Sequence, residues 1–146
     1  MSTAIRPLED ADRAQWEALF RAYIGFYEAQ VPGDVIALTW QRLIDRSDGL
    51  FGLAGVDASG RLVGIAHALF HRSTWSPTFY CYLEDVFVDP AARGQGAGRA
   101  LIEAVYAKAD AEGCTRAYWA TKSDNATARR LYDGLATLSP FVQYRR

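Results

Sequence analysis

The stretch Leu83-Glu84-Asp85-Val86-Phe87-Val88-Asp89-Pro90 leads at once into Arg93-Gly94-Gln95-Gly96-Ala97-Gly98-Arg99, and this junction constrains the fold more than any other part of the chain. Val86, Phe87 and Val88 are β-formers, and Asp-Pro ends the strand they predict. Beyond the glycines, Ala97, Leu101, Ala104 and Val105 recur at helical spacing on one face. A strand, a glycine turn and a helix start in succession make a place for an anion. Unpaired N–H groups point outward from the helix start, and the helix dipole adds positive potential. Glycines at 94, 96 and 98 let the backbone come close to a phosphate.

Two familiar phosphate loops do not fit. A P-loop needs Lys and Ser/Thr after its last glycine, where this chain has Arg99-Ala100. A dinucleotide fingerprint needs a glycine at 99. The plain alternative is a tight strand-to-helix turn with no ligand.

Composition narrows the function further. The chain has 146 residues, 50% hydrophobic and 23% charged, with a formal net charge of −1. That suits one domain over 1–146 with a core of its own. No long basic run marks a nucleic-acid binder. The N-terminal residues lack the apolar core of a signal peptide, and no segment is long enough to span a membrane, so a cytoplasmic protein is expected. Cys81 and Cys114 read as reduced thiols, and with two histidines they lack metal-ligand spacing, so no metal is expected.

Periodicity supplies the rest of the order. A short strand over 3–8 precedes a helix capped by Asp10 or Asp12, with Trp16, Leu19, Phe20, Tyr23, Ile24 and Tyr27 on one stripe. Val31-Pro32-Gly33-Asp34 opens a second helix that buries Ile36, Trp40, Leu43 and Ile44. Strands are expected over 50–56, 62–70 and 79–88, the first two joined by Asp57-Ala58-Ser59-Gly60. After the glycine helix come a strand over 115–121, a helix over 125–134 and a last strand over 141–144. The order β-α-α-β-β-β-α-β-α-β implies an α/β (α+β) fold, a mixed sheet with helices on both faces.

Arg-x-x-Gly-x-Gly across 93–98 resembles the acyl-CoA pyrophosphate loop of the GNAT family of N-acetyltransferases, and the element order is also that family's. Tyr82-Leu83-Glu84-Asp85-x-Phe87-Val88 is similar to the equivalent strand of spermidine/spermine N-acetyltransferases. Tyr118-Trp119-x-Thr121, Asn125, Leu131-Tyr132, Phe26-Tyr27, Val31-Pro32, Thr39-Trp40 and the run Phe141-Val142-Gln143-Tyr144-Arg145 resemble a small fungal histone and polyamine acetyltransferase group. Residues 134–140 depart from relatives that run straight through Gly-Phe. The resemblance implies a sheet of six to seven strands and acetyl-CoA as co-substrate. It implies direct acetyl transfer to a primary amine of a small cationic metabolite, such as a polyamine or an amino acid. Acetylation of a protein lysine or N-terminus, and a non-catalytic acyl-CoA sensor, are the alternatives. Many small relatives form homodimers, and one is expected here.

The resemblance also implies roles. Arg93, Gly94, Gln95, Gly96, Ala97, Gly98 and Arg99 would hold the pyrophosphate. The backbone of Val86, Phe87 and Val88 would pair with pantetheine and meet the thioester oxygen, and Asn125 would bond the CoA arm. Tyr132, two helical turns beyond Asn125, would protonate the leaving thiolate. Glu84 would take the amine proton or hold the amine; a structural ion pair is its other reading. Glu84 and Asp85 are adjacent on a strand, so opposite faces are expected. Tyr27 and Glu28, with Tyr23, would line the amine side beside those carboxylates, though core packing also accounts for the tyrosines. His67 and His71 share one strand face, each either a base or an ordinary core or surface histidine. Arg129 and Arg130 either meet CoA phosphates or stay solvated. Cys81 and Cys114 lack the partners of a nucleophile.

Overall fold

The computed structural model describes residues 3–146; Met1 and Ser2, part of the N-terminal segment read for targeting, lie outside the described residues. The elements run β1 (Ala4–Pro7), α1 (Arg13–Phe26), α2 (Gly33–Asp45), β2 (Leu50–Val56), β3 (Leu62–His71), β4 (Tyr80–Val88), α3 (Ala97–Ala111), β5 (Arg116–Tyr118) and α4 (Ala126–Asp133). Five strands form one sheet in the order β1-β2-β3-β4-β5, antiparallel except for the parallel pair β4 and β5. Parallel pairing needs a crossover, and α3 supplies it.

β3 is apolar along nearly its whole length because helices cover both faces of the sheet. Ile65 packs on one side with Trp16 and Phe20 of α1 and with Ile36, Trp40 and Leu43 of α2. Ala66 and Ala68 face the other side, against Leu101, Ile102 and Val105 of α3. The aromatic stripe of α1 therefore sits against the sheet, as its spacing requires.

The fold departs from expectation at both termini and at β5, which covers Arg116–Tyr118 and not 115–121, because β4 offers it a partner over only three residues. The sheet has five strands, not six to seven. Residues 141–146 form no strand, and Phe141, Val142 and Tyr144 stand almost fully exposed. A strand exists only where a neighbour takes its backbone hydrogen bonds, and here none does. At the other end, Asp10–Asp12 is a short 3-10 turn before α1. Asp12 does not cap the helix with its side chain. It accepts two hydrogen bonds from the Arg6 guanidinium, at 2.7 and 2.9 Å, and one from the Glu9 backbone N–H at 2.8 Å.

Candidate active site

β5 pairs with β4 only from Tyr80 to Tyr82, so the rest of that β4 edge is open. A cleft of about 530 Å³ lies there, with Val86, Phe87 and Val88 on one side and the glycine loop, the start of α3 and the inner face of α4 around it. Gly94 and Gly96 adopt φ of +81° and +83°, conformations that side chains resist, and a Cβ on either would meet no atom within 4 Å. The loop therefore leaves open space above its backbone. The first N–H groups of α3, from Ala97 to Arg99, have no carbonyl one turn earlier within the helix to bond, and they face the same region. The residues present fit a pyrophosphate at this end of the cleft. The Arg93 side chain is tied to the strand, its Nε donating to the Val88 carbonyl at 3.2 Å and its cation lying 5.6 Å from the Phe87 ring centre.

Aromatic hydroxyls gather at the other side of the cleft. Tyr23 and Tyr27 meet edge to face at 5.1 Å, and Tyr132 packs against Trp119 at 5.4 Å. All three tyrosines line the cleft. Burial pushes the Tyr132 phenol above its ordinary range, and nearby Tyr27 adds to this. The Tyr23 phenol is also raised, by burial first and then by the charge of Asp85. Asn125 stands before α4, where its Oδ1 accepts the Ala128 N–H at 3.3 Å. It lines the cleft while capping the helix that carries Tyr132.

The two β4 carboxylates do not lie on opposite faces. Ala68 pairs with Leu83 and His67 with Asp85, so Glu84 is an extra residue, a β-bulge. Leu83 packs on the α3 side, whereas Asp85 meets His67 on the α1 side. The bulge breaks the period of two and turns Glu84 and Asp85 to the same side. Glu84 is exposed. The protein around it, and next the Asp85 charge, hold its carboxyl above the ordinary range. Asp85 is tied to His67 Nδ1 at 2.9 Å, and the Trp16 indole N–H donates to His67 Nε2 at 2.8 Å.

A family model described as the Acetyltransferase (GNAT) family matches residues 15–135. The chain belongs to the GNAT family. It is an N-acetyltransferase by class. It is 35% identical over 143 residues to the D-amino-acid N-acetyltransferase HPA3 of Saccharomyces cerevisiae, covering 97% of this chain and 89% of the relative. It is 38% identical over 74 residues to the thialysine N-epsilon-acetyltransferase of Bos taurus, covering 51% of this chain and 43% of that protein. Its fold matches, with a TM-score of 0.82, that of AAC(6')-Iy in complex with the bisubstrate analogue CoA-S-monomethyl-acetylneamine. That likeness is 20% identical in sequence and covers 100% of this chain and 99% of the other.

In this GNAT chain the structure gathers Val86, Phe87, Val88, Arg93, Gly94, Gly96, Ala97, Gly98, Arg99, Asn125, Tyr27 and Tyr132 around one cleft. Gln95, Glu28, Glu84 and Asp85 are not among its lining residues. Glu28 follows the end of α1 in a left-handed conformation, φ 53°. The two histidines part company: His67 is buried, whereas half-buried His71 accepts the Tyr118 hydroxyl at 2.6 Å. Arg129 donates to the Ser123 carbonyl at 2.6 Å. Burial pushes the Cys81 thiol up to about 12, which suits a core residue and not a nucleophile. Sequence reasoning missed Phe26, Ile102, Thr127, Ala128 and Leu131 as cleft residues. Ala128, Leu131 and Tyr132 share a helix face by spacing, which is the signal that pointed there.

Proposed function

We propose that this GNAT enzyme transfers an acetyl group from acetyl-CoA directly to a primary amine of a small cationic metabolite, with an amino acid or polyamine as acceptor. The observation that carries the reading is one cleft in which the left-handed glycines, the open β4 edge and the Tyr132 hydroxyl meet. When bound, acetyl-CoA supplies a thioester carbonyl. The amine nitrogen attacks that carbon, the C–S bond breaks, and the thiolate leaves.

Each group in the proposal has a physical task. Backbone N–H groups from Gly94 to Arg99 hold the pyrophosphate, and a backbone N–H at 86–88 faces the thioester oxygen as charge develops there. Tyr132 gives its proton to the thiolate: a phenol has a reference pKa near ~10 against ~8.5 for a thiol, close enough for transfer. Glu84 and Asp85, together on the α1 side, attract the cationic amine and take its proton, directly or through water. Tyr23 and Tyr27 add aromatic walls suited to a cation. Lys122 stands 5.7 Å from the Tyr27 ring centre and offers a cation to an acceptor that carries a carboxylate. The names of the two relatives, acetyltransferases of D-amino acids and of thialysine, favour an amino-acid acceptor over a protein lysine.

Thiol release from acetyl-CoA with spermidine, thialysine, D-alanine and a lysine peptide tests the proposal. Release that depends on a small amine supports it. Tight CoA binding with no release in the whole series would leave a sensor, and preference for the peptide would leave a protein acetyltransferase.

A further inference from the structure

We propose that His67 is a positioning residue, locked by Trp16 into one tautomer so that it aims the Asp85 carboxylate at the incoming amine; this rests on the acetyl-transfer function proposed above. The lock follows from hydrogen-bond chemistry. An indole N–H can only donate, so the 2.8 Å contact from Trp16 makes His67 Nε2 an acceptor that carries no proton. The imidazole then keeps its proton on Nδ1 and donates it to Asp85 Oδ2 at 2.9 Å. His67 is 4% exposed and Trp16 0%, with Phe20 and Trp40 packed around the indole. Neither ring has room to swing.

The far end of this chain is different. The Asp85 side chain remains 17% exposed and lies beside Tyr23, which lines the cleft. Asp85 Oδ2 is held by His67 Nδ1, and in the proposal the carboxylate meets the amine beside Tyr23, at the rim of the cleft and outside its lining. The bulge at Glu84 makes the arrangement possible, since without it Asp85 would point toward α3. A buried indole, a neutral imidazole and a half-open carboxylate thus convert α1 packing into carboxylate orientation.

Two measurements test this. The first needs no acceptor: long-range nitrogen–proton correlation spectra of the imidazole should show His67 protonated at Nδ1 and bare at Nε2. Trp16→Phe should release that preference. The Nε2–H form in the native protein overturns the lock. The second uses thiol release at saturating acetyl-CoA with thialysine as acceptor. His67→Leu should lower kcat/KM for the amine by roughly 10–100-fold, as expected when one hydrogen bond to a charged group is lost. The Kd for CoA should stay the same. His67→Asn, which keeps an N–H near the Nδ1 position, should recover most of the loss. In an Asp85→Asn background, His67→Leu should add little. Equal losses in the Leu and Asn variants, or full additivity with Asp85→Asn, would make His67 a structural residue and overturn the aim. If the native protein releases no thiol with thialysine or the other amines, the function proposed above fails and the aim fails with it. The tautomer result still judges the lock separately.

Discussion

Tyr132 and Glu84 are the residues where environment matters most to the proposed chemistry. Burial keeps the Tyr132 phenol protonated further into alkaline solution than an exposed tyrosine, so a proton donor persists there. Tyr132→Phe keeps the ring against Trp119 and removes the donor. We expect kcat to fall at the low end of the ~10²–10⁴ range for general acids, most clearly at alkaline pH, with thermal stability nearly unchanged. A variant that loses stability but keeps kcat would make Tyr132 a packing residue. Glu84 has a raised pKa, so its basic form is reached only above the ordinary carboxylate range. Activity should accordingly rise with pH on a limb displaced above the ordinary glutamate value of ~4.3. Glu84→Gln should remove this limb of the profile and cost within the same ~10²–10⁴ range, without altering CoA affinity. Native kinetics in the variant would assign the amine proton to Asp85 alone.

The decisive elements are a loop and a strand edge. The glycine loop reaches its ligand because Gly94 and Gly96 take left-handed backbone, and Gly96 also opens α3. A Cβ at 96 meets no neighbour, so the damage from Gly96→Val is conformational and blocks approach from above. Strain of about 1–2 kcal/mol is expected at this position. Calorimetric titration should show much weaker CoA binding by a protein that still folds, and unchanged affinity would remove the loop from the site. The open edge of β4 arises because β5 is only three residues long. Extended pairing along β4 would close the cleft.

For the molecule as a whole, the Arg6–Asp12 pair fastens β1 to the entry of α1. Hydrogen bonds from Arg6 hold the Asp12 carboxyl below its ordinary range, although burial opposes this. The sign is that of a depressed group. Its contribution is complete above the unfolded value of about 3.9 and is lost as pH falls through the lower folded value. Asp12→Asn should cost roughly 1.5–3 kcal/mol at neutral pH, the range for a hydrogen bond to a charged group. It should also flatten the acid limb of the melting temperature against pH, and an unchanged acid limb would place the acid sensitivity elsewhere. Light scattering tests assembly. Phe141, Val142 and Tyr144 are 87%, 81% and 93% exposed, apolar surface that a second copy would cover. We expect a homodimer, and a monomer once residues 141–146 are removed.

Periodicity and local chemistry were enough for the helices, the main strands and the glycine loop. Each is set by neighbours three, four or two residues away, or by the residue's own backbone freedom. Trp16, Phe20, Ile36 and Trp40 announced their burial by spacing, and Gly94 and Gly96 announced a turn. Tertiary structure alone decided what depends on distant partners. The expected strand over 141–144 failed because no neighbouring backbone takes it up. The shared side of Glu84 and Asp85 arose from a bulge that exists only in the register of β4 against β3. His67 and Asp85 lie 18 residues apart, and Trp16 lies 51 residues from His67. Sheet pairing brought together what no period in the sequence links.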